Sequence, residues 1–296
     1  MSDGRRGKKR MKLTLLAALV LLTGACRLAA PPLPAPLQLG DTVISDAVIW
    51  SGEVRIRGTV TVKKTGTLTI RPGSRILFER IDHDGDGIGD AEIYVEGSLL
   101  AQGTATEPIL FSSAAAQPQP GDWKFLYLDY ARKAELRHVI AEYAYSGVQI
   151  HFCKATVLDS EFRYNVDGVR FSTVNIEVAR NRIHHNRHGI RYEERRGAGS
   201  VYQNEIVDNE IGIFVVTRSD NRTLFRNNNI VSRQYNVKLG FDQAGDVTFP
   251  LNWWGTNEAA AIRAAIYDHA ADATLGRVQT PDPLPAPLDL MPPFLP

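Results

Sequence analysis

The chain has 296 residues, 44% of them hydrophobic, with 34 basic and 33 acidic groups and two cysteines. A balance so even leaves no electrostatic footprint for nucleic acid, and two cysteines cannot supply a disulfide framework. With no second linker between its proline-rich ends, the chain reads most simply as one domain.

At the N-terminus, Arg5, Arg6, Lys8, Lys9, Arg10 and Lys12 precede a run from Leu13 to Leu22 that is apolar apart from Thr14. A charged stretch ahead of so short an apolar run reads as an export signal and is too short for a stable bilayer anchor. It leads into Leu22-Thr23-Gly24-Ala25-Cys26, which resembles a bacterial lipobox. The resemblance implies removal of residues 1–25, acylation of Cys26 and anchorage in a membrane; cleavage by an ordinary secretory route near Ala25 is the alternative. Arg27 stands where lipoproteins held at the inner membrane carry aspartate, so the resemblance implies the outer membrane, on its periplasmic or surface side. Without the signal the chain holds 28 basic and 32 acidic groups, a net charge of −4, and again nucleic acid is not an expected partner. Cys153 is then a lone thiol, expected as a small buried apolar group.

Residues 26–41 are rich in proline, an extended spacer. Residues 42–255 carry a repeating pattern. Gly66-Thr67-Leu68 is matched by Gly97-Ser98-Leu99, and Ile76-Leu77-Phe78 by Ile109-Leu110-Phe111. The long spacing of these pairs places an insertion between them, and Asp82-His83-Asp84-Gly85-Asp86-Gly87-Ile88-Gly89-Asp90 fills it. Asp82, Asp84, Asp86 and Asp90, with a turn at Gly87 and a backbone carbonyl at Ile88, follow the ligand order of an EF-hand loop, although Ile93 replaces its final glutamate and no flanking helices are expected. Clustered carboxylates repel without a cation, and calcium prefers oxygen ligands of this kind. A compact structural calcium loop, bracing the insertion to the wall of the fold, is the expectation.

From Gly147 the repeat is regular. Strings beginning at Gly147, Gly168, Gly189, Gly212 and Asn236 recur every 21 to 24 residues, and Phe162, Ile183, Ile206 and Ile230 recur in step, as do Val157, Val178, Val201 and Phe225. Asn165, Asn186 and Asn209 each follow their column by three. Three short apolar segments per period, separated by Gly and Asn, predict an all-β, right-handed parallel β-helix of about nine coils, since one coil cannot bury its inner face alone and stacking builds a continuous core. Gly and Asn are expected at corners needing unusual backbone angles.

Asp167 and His188 precede successive corner glycines and would lie one rung apart, a weak candidate pair for proton transfer. Arg170, Arg191 and Lys238 fall on one outward column with Gln149 and Phe214. That column reads either as a grip on an anionic polysaccharide or as a solvated face balanced by Glu161, Glu177, Glu193 and Glu194, the second being favoured. His184, His185 and His188 have the composition of a transition-metal site, but neighbours on a strand point apart, so His184 and His185 are expected to diverge.

At the far end, Asn252-Trp253-Trp254-Gly255 precedes an alanine-rich stretch, Glu258 to Tyr267, with the spacing of a short helix; residues 256–280 form a cap and 281–296, rich in proline, a tail. Gly121-Asp122-Trp123, the Gly-Ile and Asn-x-Ile coils and the Asn-Trp-Trp-Gly string together resemble bacterial secreted right-handed β-helix proteins of the pectate-lyase-like superfamily. The resemblance covers about residues 42–280 and implies fold more than activity, because the superfamily includes lyases, hydrolases and adhesins. Trp253 and Trp254 are expected in the cap, with sugar stacking as a second possibility. The favoured function is a non-enzymatic envelope lipoprotein, a calcium-braced scaffold or binding module for glycan or protein. The alternative is a polysaccharide lyase or glycoside hydrolase acting on an acidic polysaccharide.

Overall fold

The computed structural model describes residues 35–290 except 173, 174 and 196; the export signal and Cys26 lie outside the described residues. Leu37–Leu39, Thr42–Ile44 and Ala47–Trp50 lay down the first strand of each of three sheets, here sheets 1, 2 and 3. Every later coil adds one parallel strand to each, giving nine, ten and eight strands. This is the right-handed parallel β-helix expected from the repeat.

Alternation within each short strand explains the winding. Thr67–Ile70 buries Leu68 and Ile70 and turns both threonines outward, as the two-residue period of a strand requires. Stacked coils then place like above like. Phe162, Ile183, Ile206 and Ile230 pair in register and are fully buried in one file, and Val157, Val178, Val201 and Phe225 form a second.

The corners differ from expectation in an informative way. The repeated glycines at 147, 168 and 189 do not carry the left-handed backbone. They are glycine because a Cβ there would lie 2.7 to 2.8 Å from the carbonyl of the glycine one coil on, closer than atoms tolerate. The left-handed angle falls on the residue before each ladder asparagine: Tyr164, His185 and Asp208 at one corner, Arg180, Gln203, Asn227 and Leu251 at another, all with φ near +55°. Such a conformation costs ~1–2 kcal/mol in an ordinary residue. The amide that follows offsets it. Asn186 accepts the Asn165 backbone N–H and side-chain N–H on one oxygen, at 2.9 and 3.0 Å, and donates back to the Phe162 carbonyl. Asn181, Asn204, Asn228 and Asn252 repeat this arrangement as a second ladder.

Several boundaries shift. The β-helix begins at Leu37, inside the stretch read as linker, because Leu37–Leu39 pairs with Val54–Ile56. Phe111, not Ile109, pairs with Ile76; a two-residue slip keeps the same side chains facing inward and is invisible to the hydrophobic pattern. The helix is only Ala259–Ala264, and Ile266–Tyr267 forms the last strand of sheet 2 against Val237 and Lys238. Part of the proline-rich tail packs on the final coil, where Asn229 exchanges hydrogen bonds with the Leu288 backbone. Cys153 is buried as expected, and burial pushes its thiol up to about 11.

Two measurements check this account. Asn204→Ala removes the partner of Asn181 and the donors to Val178 and Asn228, and should lower unfolding free energy by roughly 2–4 kcal/mol in urea, given ~1–3 kcal/mol for each buried polar group left unpaired. Burial raises the Asp159 carboxyl, but Arg180 and Arg137 outweigh it and hold it below its ordinary value. Burial acts the same way on Asp268, where the backbone N–H groups of Val278 and Ala270, with Arg263, prevail. A lowered carboxylate contributes stability that is complete above its unfolded pKa and lost as pH falls through the folded value. The urea midpoint should therefore hold between pH 7 and about 5 and drop below about 4; a midpoint indifferent to acid would contradict these pairings.

Candidate functional site

Sheet 2 carries the densest chemistry on its outer face. One side chain per coil forms an outward file of Tyr94, Tyr127, Gln149, Arg170, Arg191, Phe214, Lys238 and Tyr267, paired in register throughout. At ~4.8 Å per coil the file runs roughly 34 Å. The aromatic members interlock: Tyr94 meets Tyr127 edge-on at 5.2 Å, and Phe125 lies 5.9 Å from both Tyr127 and Tyr145. Lys238 sits 5.1 Å above the Tyr267 ring and Arg191 5.7 Å from the Phe214 ring, both within cation–π range. Gln149, read as facing water, is 5% exposed; it lies between Tyr127 and Arg170 in the file and accepts from the Ser146 hydroxyl.

Beside this file runs a second, Ser146, Asp167, His188, Ile211. Asp167 and His188 do lie one rung apart, and His188 Nδ1 is 2.7 Å from the Asp167 carboxylate. Asp167 is fully buried, and its other oxygen lies 3.9 Å from Arg170 and 3.5 Å from Arg191. Two guanidinium groups and an imidazole thus share one carboxylate. Burial, then Arg191, holds the Arg170 pKa below its usual value despite Asp167. Arg191 Nε is buried without a hydrogen-bond partner among the described residues. The His188 ring stacks on Phe214 at 4.9 Å and lines, with Tyr145, Arg191, Lys238 and Tyr267, a hollow of about 370 Å³. A larger hollow of about 720 Å³ on sheet 3 is more open and carries Lys133, Lys154, Glu135 and Glu177 of mixed charge with no aromatic ring, so it offers less for recognition.

The glutamates expected to balance the basic column bond mainly to other groups, and of the four only Glu193 also acts electrostatically on Arg170. Glu161 bonds Arg163 and His184, Glu177 takes the Tyr202 hydroxyl, Glu193 bonds Ser172 and pairs with Arg195, and buried Glu194 accepts the backbone N–H groups of Asp220, Arg222 and Thr223. Trp254 is 2% exposed and faces Phe249, which rules it out as a sugar platform; Trp253 continues sheet 1 by a bridge to Asn229.

In the insertion, Asp82, Asp84 and Asp86 bring carboxylate oxygens within 4.8 Å of one another. They also shape the loop themselves. Asp82 accepts the N–H groups of Gly85 and Gly87, which lower its pKa against a raising effect of desolvation, and Asp86 accepts that of Ile88. Asp90 is turned away: it accepts the His83 N–H at 2.7 Å and faces Lys124. Three carboxylates, not four, therefore form the cluster, which fits an oxygen-ligated cation in part. The loop is tied down by Gly89, whose N–H donates to the Gly121 carbonyl and where a Cβ would lie 1.9 Å from the Asp122 carbonyl. Asp122 is itself buried against Ser113 and Arg80, and Trp123 stacks on Phe78 at 4.1 Å.

His184 and His185 are not divergent. Their Nδ1 atoms lie 2.7 Å apart, because His185 has left strand geometry for the left-handed corner. His188, by contrast, belongs to the Asp167 pair on sheet 2.

Three parallel sheets wound into one stacked core define a solenoid of the parallel β-helix class. Comparison with known families agrees. Residues 42–137 match the family model described as a pectate-lyase-like β-helix domain, and residues 119–263 match that of NosD, described as a periplasmic copper-binding protein. Both matches support a parallel β-helix fold, in agreement with the three wound sheets. No curated protein and no solved structure matches it significantly.

Asp167→Ala leaves Arg170, Arg191 and His188 crowded around an empty place. It should cost about 3–5 kcal/mol in urea unfolding, the range for breaking a buried ion pair. Adding Arg191→Met should recover part of that loss, whereas strict additivity would show the groups do not interact.

Proposed function

We propose that this envelope protein is a non-enzymatic binding module that holds an acidic polysaccharide along the outer face of sheet 2. The observation that supports it is the charge arrangement around Asp167: Arg170 and Arg191, on adjacent coils, share a single buried carboxylate with His188. The surplus positive charge lies beside a file of aromatic rings and above a hollow. Stacked rings accept the faces of sugars, cations spaced one coil apart suit repeated carboxylates, and a long lateral face suits an extended chain. Anchorage through acylated Cys26, at the outer membrane, and calcium held by Asp82, Asp84 and Asp86 as a structural brace belong to the same proposal.

Asp167 and His188 have the contact expected of an acid–base pair, so the lyase or hydrolase reading is tested alongside. Titration calorimetry of the full chain with polygalacturonate at low salt should show binding that weakens as salt rises and falls at least tenfold in Arg170→Ala/Arg191→Ala. Failure of the wild type to bind any uronate polymer would remove the proposal. Unsaturated or newly reducing ends in the incubated polymer would replace it with catalysis. For the brace, calcium should raise the melting temperature of the wild type and not of Asp84→Asn; no heat and no melting shift would dismiss calcium.

A second reading, metal handling, is favoured by the copper-binding description of the family matched over residues 119–263. It requires nitrogen or sulfur ligands gathered at one point.

A further inference from the structure

The two ends of the solenoid are finished differently. At the carboxyl end, Ile266–Tyr267 continues sheet 2, Trp253 bridges to Asn229, and the Asn229 side chain exchanges hydrogen bonds with the Leu288 backbone. At the amino end, Leu37–Leu39, Thr42–Ile44 and Ala47–Trp50 pair on one side only, with Val54–Ile56, Val60–Val62 and Thr67–Ile70. Among the described residues no strand meets their other edges.

Unpaired edges are usually protected by lysine, proline or a bulge. These three strands contain none of them. Their side chains are apolar instead. Leu37 stands in register with fully buried Val54, yet it is 45% exposed, since no described coil covers it. Val43 and Ile49 point outward, in register with Thr61 and Thr69 of the next coil, and are 64% and 58% exposed. Val43 is the most exposed large apolar side chain among the described residues.

A cover for this end must offer hydrogen bonds on three sides and apolar surface between them. A bilayer offers only the second. The preceding chain is short: nine residues run from Cys26 to Pro34, whereas a coil here takes 17 to 20, from Leu37 to Val54 and from Ala47 to Thr67. Among those nine, Pro31, Pro32 and Pro34 carry no N–H. A second copy of the same end offers both on every side.

We propose that the protein forms a head-to-head dimer through its first coil, about a two-fold axis perpendicular to the solenoid and passing through sheet 2. That rotation sets Thr42–Ile44 antiparallel to itself, with Val43 against Val43, and sets Leu37–Leu39 of each chain against Ala47–Trp50 of the other. Leu37 and Leu39 then close over Val48 of the other copy. Such an isologous contact uses up the open edges, and the finished carboxyl ends stop further growth. The outer faces of sheet 2 come to lie on one side, so the dimer doubles the length of the file from Tyr94 to Tyr267. The inference rests on Cys26 as the first mature residue and not on what that file binds.

The test is sedimentation velocity on the mature chain, residues 26–296, with Cys26→Ser so that it cannot be acylated. It should sediment as a dimer that tightens with salt, because Asp41 and Asp46 stand at corners facing each other across the seam. Val43→Lys should weaken the dimer at least tenfold and keep the circular dichroism of a folded chain, since the side chain faces water in the monomer. Val43→Cys should link the two copies on mild oxidation, because residues opposed in an antiparallel pair lie within disulfide reach. Cys153 is buried and does not compete. A dimer that keeps its affinity in Val43→Lys, or fails to link in Val43→Cys, is joined elsewhere and overturns the proposal. A monomer also overturns it: one that binds phosphatidylglycerol vesicles gives the end to lipid, and one whose Val43→Cys resists a maleimide gives it to the preceding residues. The glycan titration reads a face that the seam does not touch, so its outcome is separate.

Discussion

Every part of this molecule depends on the fixed rise between coils. Parallel strands sit ~4.8 Å apart, so a group buried at a corner has its equivalent one coil away at hydrogen-bonding reach. The two asparagine ladders exploit that spacing. Asn186 and Asn204 each donate to the carbonyl two residues back in their own coil and bond the backbone of the coil before, so a turn that is costly alone becomes stable in a stack. The same rise excludes a Cβ at Gly147, Gly168 and Gly189. Corner chemistry and core packing are thus one constraint seen at two radii.

Function inherits this geometry. A solenoid cannot gather distant residues by folding back on itself, so its sites are built from like positions on adjacent coils. Asp167 with His188, Arg170 with Arg191, and Glu161 beneath His184 each join neighbouring coils. The acidic insertion is the exception, a loop tied to the wall by Gly89 and buried Asp122. It stands coils away from Arg191 in sequence, a poor arrangement for joint chemistry with the basic face.

The sequence exposed what period and alternation control. Phe162, Ile183, Ile206 and Ile230 were readable as one file because identical burial demands identical apolar residues. The asparagines of the first ladder were readable by spacing, but the second ladder was missed, since Asn252 was absorbed into the Asn-Trp-Trp-Gly string when it is the last rung. Left-handed corners escaped notice because Tyr164, His185 and Arg180 occupy them, and no composition rule marks such residues. Strand alternation does not reach His185, which lies one residue past the strand's end in a left-handed corner. Burial of Trp254 depends on Phe249 and on how the chain closes, which a local motif does not convey. Asp167 and His188 were legible as a pair; the two arginines sharing that carboxylate became visible only when distances did.

Cross-linking across coils tests the stack most directly. In a chain lacking Cys153, cysteines at Thr156 and Glu177, outward neighbours on sheet 3, should oxidise readily to a disulfide, whose Cα atoms need a separation of ~4.4–6.8 Å. Cysteines at Thr156 and Ser200, two coils apart, should not. Rapid closure of the second pair, or failure of the first under the same conditions, would contradict the winding from which each site here is built.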